Sequence, residues 1–139
     1  MKVVLDTNVW LSAIFWKGEA FKLIEKIESK KINVIITKEI IFEITNVLNK
    51  ETKFQKFIKN RNLVIEDLIK TIIYISKLII SKSKLNIIKE ESADNRILEA
   101  AVDGNANYLI SYDNHLLKFK KYKNIRIITP TEFIKILKE

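Results

Sequence analysis

Residues 1–8 read M-K-V-V-L-D-T-N, and the reading of this stretch decides the fold. Val3, Val4 and Leu5 form an unbroken apolar run, the pattern of a strand covered on both faces, so a parallel sheet is its natural host. Asp6 follows at once. In open sheets of that kind the ligand crevice lies beyond the carboxyl ends of the strands, which is where Asp6, Thr7 and Asn8 fall. All three are helix-capping residue types, so Asp6 is either an N-cap or a reactive carboxylate. Other acids converging on the same place would decide between the two.

Outward from this stretch, strand and helix patterns alternate. Val9 to Phe15 is a short apolar helix or turn interrupted by Lys17 and Gly18, and Glu19 to Ser29 has a helical period carried by Phe21, Leu23, Ile24 and Ile27. Val34 to Ile36 is a second strand. Thr37 caps a helix running to about Leu48, with Ile40, Ile41, Ile44, Val47 and Leu48 on its apolar face. Glu51 to Asn62 is charged and weakly helical. From Ile65 the pattern is a helix to about Ser76, then an extended piece or more helix as far as Ile80. Ser92 caps a helix that ends at Gly104, a residue able to take the left-handed C-terminal conformation. Tyr108 to Ser111 is a third strand, Asp113 to Phe119 a helical turn and Ile125 to Ile128 a fourth strand. Thr129-Pro130-Thr131-Glu132 is a capping box with Pro at the first helical position. The pattern predicts one α/β domain over 1–139 with a central, mainly parallel sheet of four to five strands.

Composition narrows the chemistry. A chain of 139 residues can bury about two-thirds of its unfolded surface without a staple. It contains no cysteine, which removes disulfides, thiolate metal sites and cysteine nucleophiles and fits a reducing, cytoplasmic compartment. No apolar run approaches the ~18 residues of a membrane span. The net charge of +8 suits a polyanionic partner. Isoleucine, lysine and asparagine supply 60 of the 139 residues, however, so lysine serves partly as the default surface residue.

The acids carry more. Asp113 follows the strand Tyr108 to Ser111 and lies at the same sheet edge as Asp6. Asp94 opens a helix and shares a face with Ile97, Leu98 and Ala101. Glu43 falls between Ile40 and Val47 inside an apolar stripe, where an unpaired charge is costly. Glu39, one turn earlier, is explained better by the helix dipole than by a place in the site. Four clustered carboxylates repel one another, and a hard divalent cation such as Mg²⁺ or Mn²⁺ resolves the conflict while binding phosphate oxygens. His115, the only histidine, lies beside Asp113 and reads as an unligated surface side chain. Trp10 reads as packing and Trp16 as a contact surface. An aspartyl phosphatase would need a second acid where this chain has Asn8, and there is no glycine-rich phosphate loop.

V-V-L-D-T-N at 3–8, I-I-F-E-I-T-N-V-L at 40–48, A-D-N-R-I-L-E-A-A at 93–101, N-Y-L-I-S-Y-D at 107–113 and I-I-T-P-T-E-F at 127–133 occur in an order and spacing that resembles the PIN-domain ribonucleases, in particular the toxin components of bacterial and archaeal toxin–antitoxin pairs. The resemblance spans essentially the whole chain. It implies a PIN-like (Rossmann-like) three-layer α/β/α sandwich and Mg²⁺- or Mn²⁺-dependent hydrolysis of RNA phosphodiester bonds, as the toxin of a type II toxin–antitoxin pair. By the same resemblance Asp6, Glu43, Asp94 and Asp113 match the metal-binding catalytic acids, and Thr7, Asn8 and Ser111 the polar positions that orient carboxylates and water. Tyr112 departs from the glycine often found before the last acid. The alternative is a catalytically silent PIN-like module that binds RNA or protein. The Ile-rich stretch 65–80, with Phe54 and Phe57, either makes a homodimer or antitoxin contact or completes the core.

Overall fold

A computed structural model describes residues 1–16, 18–29 and 32–138; Lys17, one of the two residues that interrupt the first helical stretch, lies outside them. The elements run β1 (Lys2–Leu5), α1 (Thr7–Phe15), α2 (Glu19–Glu28), β2 (Asn33–Ile36), α3 (Lys38–Lys50), α4 (Thr52–Asn60), α5 (Ile65–Ile75), β3 (Ser76–Leu78), α6 (Ala93–Asp103), β4 (Tyr108–Ile110), α7 (Asn114–Leu117), β5 (Lys121–Tyr122), β6 (Ile125–Ile128) and α8 (Pro130–Lys138). The sheet order is β3-β2-β1-β4-β6-β5, parallel throughout except for the β5–β6 pair. The α/β sandwich with a mainly parallel sheet is the expected one, extended to six strands. Of the two readings of the stretch after α5, the extended one holds, since β3 follows α5 with no intervening turn; β5, two residues long, escapes a pattern reading.

The central strands are apolar because both faces are covered. Val3, Val4, Leu5, Val34, Ile35, Ile36, Leu109 and Ile110 are all buried. β1 has β2 on one side and β4 on the other, so the chain leaves it in opposite directions across the sheet. That reversal opens a crevice at the carboxyl ends of β1 and β4.

Local differences from the sequence pattern have identifiable causes. Gly104 is not left-handed (φ −87°); a Cβ there would lie 2.7 Å from Ile35 Cγ2, so close packing of α6 on β2 requires the glycine. The left-handed residue is its neighbour Asn105, at φ 53°. Ser92 is helical itself and makes no side-chain cap, whereas the capping box at Thr129 and Glu132 forms in both directions. Phe54 is buried and Phe57 half-buried, because α4 folds back so that both rings pack on Phe15 and Trp16. By contrast Tyr74, Leu78 and Ile80 are exposed along the β3 edge of the sheet.

Between β3 and α6 the chain runs without regular structure, and its backbone polar groups need partners. One face of α6 provides them at four-residue spacing. Asn95 accepts from Ile87 N and Ile88 N and donates to Ile88 O. Glu99 accepts from Leu85 N while Arg96 donates to Leu85 O. Asp103 accepts from Ser81 Oγ, Lys82 N, Ser83 N and Ser83 Oγ. The crossover is thereby strapped to α6, which holds the first turn of that helix against the crevice.

Candidate functional site

Asp6 leaves β1 directly into the crevice, its own N–H extending the ladder to Ile110 O at 2.9 Å. It is an N-cap: Oδ1 accepts from Thr7 N at 2.8 Å. Its other oxygen accepts from Ser111 Oγ at 2.7 Å, so capping and site geometry are two uses of one carboxylate. Ser111 Oγ also accepts from Asp113 N at 2.9 Å, which makes the serine the hinge between the ends of β1 and β4. Asp113 in turn caps α7 by accepting from His115 N. Tyr112 takes no positive φ, so this turn needs no glycine.

The remaining acids come from helices. Asp94, in the first turn of α6, is 5% exposed. Glu43 is half-buried at the edge of the α3 stripe rather than within it, since Ile40, Ile44 and Leu48 form the buried row. Thr7 is buried, and Asn8 is exposed on the first turn of α1.

The electrostatics mark these groups as one cluster. Burial pushes the Asp6 carboxyl up, hydrogen bonds from Ser111 and Thr7 oppose this, and the Asp113 charge adds to it. Glu43 is raised by burial, helped by Asp6 and Glu91 and opposed by the nearby Thr7 hydroxyl. That hydroxyl is buried without a hydrogen bond of full geometry, so it restrains the rise only in part. Asp94 is pushed up to about 8, by burial first and then by Asp6 and Asp113. Two basic side chains near the cluster are engaged elsewhere: Arg96 grips Glu99 with two hydrogen bonds, and Lys118 pairs with Glu90 at 2.6 Å.

Two groups here were not visible in the sequence pattern. Glu91, at the end of the strap, adds its charge to both Glu43 and Asp94. His115 Nδ1 is buried, 3.4 Å from Asp113 Oδ1 and 4.0 Å from Asp94 Oδ2. The two-residue spacing from Asp113 was the only signal; the capped turn leaves the side chain 43% exposed but turns Nδ1 toward the acids. Beside the acids, a cleft of about 570 Å³ lies between α3 and the start of α6; Glu43, Phe42, Lys38, Asn46 and Arg96 are among its lining residues, and Phe42 is exposed.

Residues 2–115, which carry this whole cluster, match the family described as PIN domain. The chain belongs to the PIN domain family. In fold this PIN domain is also similar to a chain in the crystal structure of VapBC2 from Rickettsia felis bound to a DNA fragment from their promoter, with a TM-score of 0.64 and 18% identity over 93% of this chain and 98% of that one. No curated protein sequence matches it.

The donor set fits a divalent cation. Asp94, Asp113 and His115 each bring a ligand atom within 4.8 Å of the others, Asp6 and Glu43 stand close enough to act on the group through their charge, and Asp94 Oδ2 and Thr7 Oγ1 are buried without hydrogen-bond partners. A buried, unpaired carboxylate is costly unless neutralised by a proton or a cation.

Proposed function

We propose that this PIN domain is a metal-dependent endoribonuclease that hydrolyses RNA phosphodiester bonds, acting as the toxin of a type II toxin–antitoxin pair in the cytoplasm. The observation that carries this reading is Asp94: a buried carboxylate facing Asp6 and Asp113, with one oxygen unpartnered, is an arrangement that a bound cation stabilises. Asp6, Glu43, Asp94 and Asp113 hold Mg²⁺ or Mn²⁺. When bound there, such an ion supplies Lewis-acid stabilisation of phosphate charge and lowers the pKa of water. Ser111 and Thr7 fix the Asp6 carboxylate, one bond to each oxygen, so that it does not rotate as substrate enters. Asn8, exposed at the mouth, orients water or the sugar–phosphate chain. The net charge of +8 draws in the polyanion, while the acidic centre admits phosphate only when its own charge is neutralised.

The fold neighbour is part of a VapBC2 assembly, which supports an antitoxin as the protein partner. The exposed Tyr74, Leu78 and Ile80 support a homodimer through the β3 edge. The deciding experiment is cleavage of RNA with Mg²⁺ or Mn²⁺ by the parent, Asp6→Asn and Asp94→Asn. Loss of a metal ligand removes several kcal/mol of transition-state stabilisation, so each variant is expected to be slower by about 10²-fold or more. Equal cleavage by all three overturns the assignment, and no metal binding by the parent favours the silent binding module.

A further inference from the structure

His115, Asp94 and Asp113 each offer a ligand atom within 4.8 Å of the other two, and three atoms are seen around the ring: His115 Nδ1 itself, Asp113 Oδ1 at 3.4 Å from it and Asp94 Oδ2 at 4.0 Å. Two of these three atoms, Nδ1 and the Asp94 oxygen, are buried and have no hydrogen-bond partner. The contact between Asp113 and His115 alone would be an ordinary feature of a capped turn. Asp94 is different: it arrives from another element, is 95% buried and turns its free oxygen toward the same ring nitrogen at 4.0 Å. A cation about 2.1 Å from each ligand atom holds those atoms roughly 3–4 Å apart, which is the spacing of 3.4 and 4.0 Å seen around Nδ1. The backbone of His115 is held in this turn, since its N–H is bound to Asp113 Oδ1 at 2.8 Å.

We propose that His115 is a metal ligand, completing with Asp94 and Asp113 a mixed nitrogen–oxygen site that selects Mn²⁺ or a similar transition ion over Mg²⁺. An all-carboxylate site serves Mg²⁺ and Mn²⁺ alike, whereas an imidazole nitrogen adds affinity for first-row transition ions, least for Mn²⁺ and more for those after it, and adds little for Mg²⁺. The inference rests on the reading of this domain as a metal-dependent nuclease and specifies which ion that site takes.

The test titrates the full chain with MnCl₂ and, separately, MgCl₂ by calorimetry, for the parent, His115→Ala and His115→Gln, with thermal melting to establish that each variant is folded. The parent binds Mn²⁺ the more tightly. Each variant loses about 10-fold or more in Mn²⁺ affinity and changes far less toward Mg²⁺, so the selectivity collapses. Equal affinities before and after substitution, or equal losses for both ions, overturn the proposal. A second readout needs no variant: pulsed electron paramagnetic resonance of the Mn²⁺-loaded parent shows a nitrogen coupling from the imidazole. Mn²⁺ bound without that coupling overturns the His115 assignment and leaves the nuclease reading standing. No binding of either ion by the parent overturns both.

Discussion

Asp94 and Asp103 sit at opposite ends of the same helix, and their carboxyl groups are in opposite electrostatic states. Asp103 loses some solvent, which works to raise it, yet hydrogen bonds from the Ser83 hydroxyl and N–H, the Ser81 hydroxyl and Lys82 N–H hold it down at about 2. Asp94 is buried, faces other acids and is pushed up to about 8. One acid has every partner it needs within the chain; the other lacks a partner that the chain does not supply. A satisfied carboxylate ties structure together, and a buried unsatisfied one carries a cost that a proton or a cation relieves.

The largest expected effect breaks the Asp94 end. In metal-free protein Asp94→Asn removes the cost of ionising a buried group, so the variant melts higher than the parent, by an amount on the order of a few kcal/mol at pH 8, while cleavage is lost. A lower melting temperature for the folded variant at that pH would show that Asp94 is already satisfied.

The pH dependence sharpens the same contrast. Asp94 is raised above its unfolded value, so the folded state holds the extra proton and metal-free stability falls as pH rises from about 4 to about 8. Asp103 is depressed, so its contribution is present above about 4 and lost as pH falls toward about 2. Denaturant melts across this range are expected to peak near the bottom of the first window. Saturating Mn²⁺ offsets the upper decline because it binds the ionised form, and Asp94→Asn flattens it.

The smaller effect concerns Asp103. Asp103→Ala frees the strap at Ser81–Ser83 and costs about 1.5–3 kcal/mol, the range for hydrogen bonds to a charged group. Mn²⁺ affinity is expected to stay within about 3-fold of the parent, since the first turn of α6 remains held by Asn95 and Glu99. A loss of metal binding comparable to that of Asp94→Asn would merge the two regions into one functional unit.

Much of this was legible in the chain. Val3–Leu5 followed by Asp6 placed a buried strand and an acid at its carboxyl end because runs of that kind have one physical explanation in a parallel sheet. Glu43 stood out through its spacing against Ile40 and Val47, although the buried row of Ile40, Ile44 and Leu48 leaves it at the edge of that stripe. The strap was not legible: Asn95, Glu99 and Asp103 look like an ordinary polar helix face until the segment they bind, 81–88, lies against it. Nor was Phe54, whose burial depends on how α4 folds back onto α1.

What the sequence by itself determined is therefore the alternation of elements, the covered strands and the positions of the acids along the chain, since periodicity and capping are properties of neighbouring residues. Only the tertiary structure decided the state of each carboxylate. Whether an acid is raised or depressed depends on burial and on partners from distant segments, as Ser111 is to Asp6 and Ser83 is to Asp103. For the same reason only the fold shows that His115, a histidine whose side chain is 43% exposed, has its Nδ1 4.0 Å from Asp94. The opening M-K-V-V-L-D-T-N puts Asp6 at the carboxyl end of a buried strand, and only the packing leaves Asp94 Oδ2 buried without a hydrogen bond.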